Sequence, residues 1–165
     1  MKARIEAYVR AQSLFVYTTF IHVGFYYQNF LSFFQPNSDG EFRVPLEPSA
    51  RLPLYDVRDT GPVVSQCFAH RDQWGQGNVV PVVAERLTMD EICTTIRRVT
   101  GQDRIRYVPL TYEQCADQAK ETLDNMRWYN SYGDQEQRYP EKTKEVYNQM
   151  KTLGGWIEET RWLMS

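Results

Sequence analysis

The run of apolar and aromatic residues over 14–23, which ends at Gly24, constrains the fold of this chain more than any other feature. Its β-branched and aromatic composition predicts a strand, and its poor polar alternation predicts burial on both faces, as in a parallel sheet. Residues 24–30 then indicate a glycine turn and the start of an aromatic-rich helix over 25–34. In open α/β sheets ligands bind at the carboxyl ends of strands, so a ligand site is expected here.

The rest of the sequence predicts strands that alternate with helices. Thr88 and Glu91 form a capping-box pattern that opens one helix, and Gly101 is placed to end it. Asp59 is predicted to cap another helix, and Thr111 to open a third. The remaining predictions are helices over 2–12 and 141–162, the latter interrupted at Gly154 and Gly155, and strands over 41–44, 52–55, 78–84 and 104–110. Such alternation implies an α/β fold with partly parallel pairing.

Composition excludes several classes of function. The 165 residues carry a net charge of −2, so nothing favours electrostatic binding to nucleic acid or to an anionic membrane. The longest apolar run is too short and too polar to span a bilayer, and the first residues lack a signal-peptide pattern. Three scattered cysteines fit reduced thiols in an intracellular compartment. We therefore expect a cytoplasmic protein, with a nuclear location also open.

Five side chains near the first strand are the candidate ligand contacts. Tyr26, Tyr27, Gln28 and Asn29 follow the carboxyl end of the strand, where phenols and amides can stack on a ring or hydrogen-bond to it. The same residues could instead start a helix whose aromatic side chains fill the core. Lys2 lies in the helix before the strand and could contact a ligand or be a solvated terminal lysine.

Other polar clusters favour structural interpretations. Asp56 and Asp59 could line a cleft, but a helix cap and a local ion pair of Asp56 with Arg58 explain them more simply. Cys67 and His70 have a spacing that a metal could use, yet nothing else in the sequence completes a zinc site, so no metal is predicted. An aromatic cluster without interleaved basic residues indicates packing or an interface; it comprises Trp128, Tyr129, Tyr132 and Tyr139.

With these residues in hand, the chain resembles the NmrA-like family of atypical short-chain dehydrogenase/reductase relatives. The matching segments are 2–10 (KARIEAYVR), 24–30 (GFYYQNF), 54–64 (LYDVRDTGPVV), 75–78 (GQGN) and 87–91 (LTMDE). The resemblance covers residues 2 to about 130. The second and third segments together are fairly specific, whereas each alone would be a weak signal.

The resemblance implies an NADP(H)-binding Rossmann domain with a smaller α/β region on the substrate side. By that resemblance, Lys2 matches a lysine that contacts the ribose or the nicotinamide of the cofactor. Tyr26, Tyr27, Gln28 and Asn29 match a late segment that contacts the cofactor. The catalytic residues stay unassigned. Some family members are metabolic reductases, and others resemble dinucleotide sensors that regulate transcription through a partner protein.

The sequence departs from the family pattern in one large respect. The glycine-rich phosphate loop, the residue that selects the 2′-phosphate and the strands that carry both do not occur in it. His22-Val23 also stands where many relatives have Arg-Pro. The expectation is therefore the C-terminal part of a Rossmann-like NAD(P)-binding fold, with the N-terminal nucleotide-binding half absent. Residues 1–130 would form its α/β region and 131–165 a C-terminal helical extension.

Two functions remain open at this point. The first is an NmrA-type NADP-dependent oxidoreductase that acts on a small-molecule substrate. The second is a non-catalytic dinucleotide-sensing regulator or interaction protein that binds a regulatory protein. A buried strand over 14–23 would pair with a neighbouring strand on each side, and an uncovered edge favours association. We therefore also expect the chain to form a homo-oligomer or to need a partner.

Overall fold

The computed structural model describes residues 2–12, 15–132 and 137–163. The helices are α1 Lys2–Gln12, α2 Thr60–Ala69, α3 Arg71–Trp74, α4 Met89–Thr100, α5 Lys120–Tyr132, α6 Tyr139–Val146 and α7 Leu153–Thr160. The strands are β1 Thr18–Val23, β2 Phe25–Tyr26, β3 Glu41–Val44, β4 Leu52–Tyr55, β5 Gln76–Val82, β6 Glu85–Leu87 and β7 Arg106–Pro109. Short 3-10 helices cover Tyr27–Leu31, Val57–Asp59 and Glu113–Cys115.

Parallel pairing dominates the strands. β1 pairs with β5 and β3 with β7, each in parallel. A third sheet has the order β2-β4-β6, in which β2 is parallel and β6 antiparallel to β4. Because α2 and α3 lie between β1 and β5, and α4 lies between β3 and β7, the predicted α/β class is confirmed.

Gly24 lets the chain pass from one sheet to the next between β1 and β2. Its N–H donates to the carbonyl of Val82 in β5 at 3.2 Å. A Cβ at this position would lie 2.4 Å from the carbonyl oxygen of Pro53 in β4. The close approach of two strands from different sheets therefore requires glycine here.

The larger hydrophobic core is aromatic and contains both early and late parts of the chain. Phe30 and Trp156 are fully buried, and Trp162 packs between them with ring centroids 5.6 Å from each. Strands β2, β3 and β4 and helices α4 and α7 supply most of the other buried side chains. These include Phe25, Phe34, Phe42, Leu52, Leu54, Met89, Ile92, Ile96, Leu153 and Ile157.

A smaller core lies under the β1–β5 pair. Tyr55, Val63, Val80 and Val82 are buried there. Val146 of α6 is one of several half-buried side chains that pack against them. Residues beyond 136 thus contribute to both cores.

The capping predictions for α4 are confirmed. The Thr88 hydroxyl accepts from the Glu91 N–H, and the Glu91 carboxylate accepts from the Thr88 N–H. Gly101 ends the helix in the left-handed conformation, with φ of 71°. Thr111 and Gln114 form the same reciprocal bonds, but they open a 3-10 turn and not a long helix.

Three predicted elements are wrong in detail. The helix expected over 25–34 is β2 followed by a 3-10 helix, because Phe25 and Tyr26 pair with β4. The helix expected over 141–162 is two helices, and Gly154 lies inside α7, whose start is capped by Thr152. The strand expected over 14–23 begins at Thr18, and Leu14 lies outside the described residues.

Candidate functional site

A cleft of about 340 Å³ lies at the carboxyl ends of β1 and β2, where they face α5. This is the place at which the sequence predicts a ligand site. Its size is at the lower end of small-molecule sites, which span roughly 300–1,000 Å³. The lining residues are Val23, Gly24, Phe25, Tyr26, Asn29 and Phe33 on one side, and Ala119, Glu121, Thr122, Asn125, Met126 and Tyr129 on the other.

Tyr26 and Asn29 are the predicted contacts that line this cleft. The Tyr26 backbone pairs with β4, and its ring packs edge-on against Tyr55 with centroids 5.2 Å apart. Asn29 lies in the following 3-10 helix and is half-buried. Its backbone carbonyl accepts from Ser32 and Phe34. No hydrogen bond between described residues involves its side-chain amide, which is therefore available to a ligand.

Tyr27 points away from the cleft into the larger core. Its side chain is fully buried, with the ring 5.6 Å from that of Trp156. The hydroxyl donates to the Glu85 carboxylate at 2.8 Å and lies 3.2 Å from the Lys151 carbonyl. Burial, and then the charge of Glu85, raise the pKa of this phenol far above its usual value. Cofactor contact by Tyr27 stays a prediction, and these partners give the residue a structural role.

Gln28 connects the 24–30 segment to the 54–64 segment. Its side-chain N–H donates to the Asp56 carboxylate at 2.8 Å, and its carbonyl oxygen accepts from the Val57 N–H at 3.1 Å. Both polar ends of the amide are therefore engaged within the protein. Gln28 fixes the 3-10 helix that carries Asn29 against the segment after β4.

Asp56 and Arg58 form the expected local ion pair. The Asp56 carboxylate is buried and accepts from the Arg58 backbone at 3.0 Å and from its guanidinium at 2.5–3.0 Å. Burial alone would raise the pKa of Asp56, but the bonds from Arg58 and Gln28 outweigh it and leave the pKa lowered. Arg58 also pairs with Glu159 of α7 at 2.5 Å. The pair thus joins the end of β4 to α7.

Asp59 does not cap α2 as predicted. Its side chain makes no capping bond and instead accepts from the backbone N–H of Lys151 at 3.1 Å. Burial, and next the charge of Asp56, raise the pKa of Asp59, although the Lys151 N–H lowers it. The carboxylate therefore helps to fix the loop before α7, together with Glu85, which accepts from the Leu153 N–H at 2.6 Å.

Two further candidates from the sequence are Lys2 and Cys67. Lys2 begins α1, and its side chain lies outside those that the structure describes. Cys67 is buried, and burial raises the pKa of its thiol. Within the described ranges, no three His, Cys, Asp or Glu side chains are arranged to hold a metal ion. In the same ranges, no helix is both long and apolar enough to cross a membrane.

Helix α5 carries the side of the cleft that sequence reasoning missed. Thr122, Asn125, Met126 and Tyr129 are spaced three and four residues apart and so share one helix face. The aromatic pair Trp128–Tyr129 was the one signal in the sequence, and it was assigned to packing or an interface. None of the described lining residues is Lys, Arg or His, so the cleft suits a planar group without negative charge that amides and hydroxyls can bind.

Comparison with known proteins places this geometry in a family. The model of the NmrA-like family matches residues 1–157. The nitrogen metabolite repression protein nmrA of Emericella nidulans is 31% identical over 116 residues, which are 65% of this chain and 32% of that protein. The NmrA-like family domain-containing oxidoreductase hkm9 of Aspergillus hancockii is 32% identical over 124 residues, 67% of this chain and 36% of that protein. The chain thus spans about a third of the length of these curated relatives.

Solved structures share the fold over nearly the whole chain. The negative transcriptional regulator Nmra in complex with NAD matches 95% of this chain and 57% of its own, with a TM-score of 0.68 and 19% identity. The same regulator in complex with NADP gives a TM-score of 0.67 at 20% identity. A nucleoside-diphosphate-sugar epimerase from Staphylococcus aureus gives 0.70 at 19% identity over 92% of this chain. At such identities the likeness establishes the Rossmann-like fold alone.

Proposed function

This chain belongs to the NmrA-like family, and we propose that its cleft binds the nicotinamide end of NADP(H) for an oxidoreductase reaction on a small molecule. The observation that carries the proposal is the Asn29 amide. It lies at the carboxyl end of parallel strands beside Tyr26, and no described residue engages it. An amide at such a place can hydrogen-bond the carboxamide or ribose of a nucleotide.

The cleft fits one end of a dinucleotide better than the other. Its aromatic side chains and amides suit a nicotinamide ring with its attached ribose. A pyrophosphate is bound by cations or by free backbone N–H groups at a helix N-terminus. No described cation lines the cleft, and in the first turn of α5, which does line it, the Glu121 carboxylate would repel an anion. The proposal therefore covers the nicotinamide end of the cofactor.

Each cleft residue has a role in this proposal. When bound, the cofactor would supply the hydride. Tyr26 and Asn29 would orient the nicotinamide, and Asn125 with Tyr129 of α5 would face the substrate. Tyr27 and Gln28 would hold the 3-10 helix in place from behind. Lys2 is proposed as a ribose contact on the family resemblance.

A non-catalytic dinucleotide sensor is the second candidate. It is favoured by the chemistry of the described lining residues, whose polar groups are amides, hydroxyls and the exposed carboxylate of Glu121. No His, Lys or Asp lies among them to pair as acid and base. A sensor needs to bind the cofactor but not to transfer a proton. Oxidation of NADPH with a panel of carbonyl compounds and quinones distinguishes the two functions, since only the oxidoreductase gives turnover.

Calorimetric titration of the purified chain with NADPH tests cofactor binding, which both candidate functions require. Binding tighter than about 100 μM, which corresponds to about 5.5 kcal/mol, is expected. Asn29→Ala should weaken it about tenfold, as the loss of one ligand hydrogen bond of about 1.4 kcal/mol implies. Asn148→Ala is the matched control, because Asn148 is exposed and no described residue bonds its side chain. Equal affinities for the two variants would overturn the assignment of Asn29.

A further inference from the structure

The cleft beside β2 has an outer part and an inner part. Of its lining residues, Phe33, Glu121 and Asn125 are exposed and mark the outer part. Tyr26 and Asn29 are half-buried and lie further in. The proposed cofactor contacts are these inner residues, so the outer part is left for the rest of a bound molecule.

Three aromatic rings line the cleft around its outer part. The Phe25 ring is buried, and its centroid lies 6.5 Å from the centroids of both Phe33 and Tyr129. The planes of these two rings are inclined to that of Phe25 by 68° and 76°. Phe33 is 65% exposed and Tyr129 is half-buried, so both keep surface that a ligand can contact. Rings that border a space from different directions attract ammonium groups, because each ring face is negative.

Glu121 adds a negative charge to the same part of the cleft. It lies in the first turn of α5, four residues before Asn125 and eight before Tyr129, so the three share one face of the helix. Among the described lining residues it is the only carboxylate, and none of them is a cation. A carboxylate in the first turn also favours the helix itself. Its position on the face that carries Tyr129 gives it a second role, because it places a charge beside the rings.

The cations of α5 do not cancel this charge. Arg127 donates to the Asp124 carboxylate at 2.9 Å, and its guanidinium lies 4.8 Å from the centroid of the Tyr112 ring. Lys120 is not among the residues that line the cleft. The described part of the cleft therefore combines aromatic faces with one net negative charge, and both features favour a cation over a neutral or anionic group.

We propose that the outer part of the cleft binds an alkylammonium group, so that the small molecule on which the protein acts is an amine or a quaternary ammonium compound. That the bound molecule is a substrate rests on the proposed function, whereas the cation site rests on the side chains alone. The three rings would surround the cation, and the Glu121 carboxylate would neutralise it. The same charge would disfavour substrates that carry a carboxylate or a phosphate.

Chemical-shift titration of the purified chain with choline and with 3,3-dimethyl-1-butanol tests the proposal. The two probes have the same shape, and only choline carries a positive charge. We expect choline to bind about tenfold more tightly, because the ring faces and the carboxylate favour it alone. Glu121→Gln should reduce this preference about fivefold, and Phe33→Leu about threefold, since leucine keeps apolar surface but has no ring face. Glu158→Gln is the matched control, because Glu158 is exposed on α7 outside the cleft, and it should leave the preference unchanged.

Equal affinities for the two probes, or no binding of choline, would overturn the cation site. So would a preference for choline that Glu121→Gln and Phe33→Leu both leave unchanged, since the cation would then bind elsewhere. The titration contains no cofactor and is independent of the calorimetry with NADPH. If choline is preferred but NADPH does not bind, the proposed function fails and the cation site stands. If NADPH binds but the probes do not differ, the cation site alone fails.

Discussion

The larger, aromatic core and the α1–β1–β5 region differ in how completely each buries its apolar side chains and pairs its backbone groups. In the aromatic core, Phe30 and Trp156 are fully buried and rings from early and late segments pack edge-on or stacked. In the α1–β1–β5 region, Val16 is 85% exposed and the outer edge of β1 has no described strand beside it. Long-range packing thus buries one region within this chain, whereas the described part of the other leaves apolar side chains exposed.

The cleft lies where these two regions meet. Tyr26 and Asn29 lie between the two regions, directly after β1. The closed core fixes them from behind through Tyr27 and Gln28. The candidate site is therefore rigid on its core side and bounded by less packed structure on the other, as many ligand sites are.

The largest expected effect comes from Trp156. Trp156→Ala should lower the free energy of unfolding by about 3–5 kcal/mol, because it leaves a cavity beside Tyr27 and Trp162. Urea denaturation followed by circular dichroism measures the change. Trp128→Ala is the control, since Trp128 is 40% exposed and its loss should cost about 1 kcal/mol or less. Similar costs for both would mean that the aromatic core is not the better-packed region.

Gly24 gives an intermediate effect at the boundary of the two regions. Gly24→Ala should destabilise the protein by about 1–3 kcal/mol, because its Cβ would meet the Pro53 carbonyl at 2.4 Å. Gly61→Ala is the matched substitution, since no atom lies within 4 Å of a Cβ there. It should be neutral or stabilise by up to about 1 kcal/mol. Thermal unfolding of the pair measures both, and a tolerated Gly24→Ala would show that the sheets do not cross this closely.

The smallest effect is expected at Asp59 and depends on pH. Burial, followed by the charge of Asp56, raises its pKa above the ordinary 3.8, so its ionisation is harder in the folded than in the unfolded state. Its ionisation therefore costs stability as pH rises from 3.8 through the folded-state pKa. Asp59→Asn keeps an oxygen that can accept from Lys151 and should be slightly more stable than the wild type at pH 7.

That gain of Asp59→Asn should disappear as pH falls below 3.8, where the carboxyl is protonated in both states. Urea unfolding of the two proteins at pH 7 and pH 3 measures it. A variant that is less stable than the wild type at pH 7 would contradict the direction of the pKa shift.

The structural features that depend only on interactions between nearby residues could be predicted from the sequence. The capping box of Thr88 and Glu91 and the left-handed Gly101 are set by neighbours within one turn, so both could be predicted. The α/β class followed from the alternation of patterns. Contacts far along the chain decided the rest. Phe25 belongs to a two-residue strand because β4 pairs with it, and no local pattern could indicate that.

The candidate site shows the same limit at single residues. Tyr26 and Tyr27 were equivalent by sequence, yet one lines the cleft and the other is buried against Trp156, more than a hundred residues away. Tyr26 ends β2 and Tyr27 begins the 3-10 helix, so the two side chains leave the backbone in different directions, whereas the sequence predicts one continuous helix for both. Asn125 of α5 could not be assigned, because only the tertiary fold brings it opposite Asn29.

The most direct test of the central claim is an isotope-filtered nuclear Overhauser experiment on the chain with ¹³C-labelled tyrosine and bound NADP⁺. We expect cross-peaks between the nicotinamide ring protons and the Tyr26 ring, which disappear in Tyr26→Phe while those of other tyrosines persist. Cross-peaks from the adenine end alone, or no binding at millimolar NADP⁺, would contradict the assignment of this cleft to the nicotinamide.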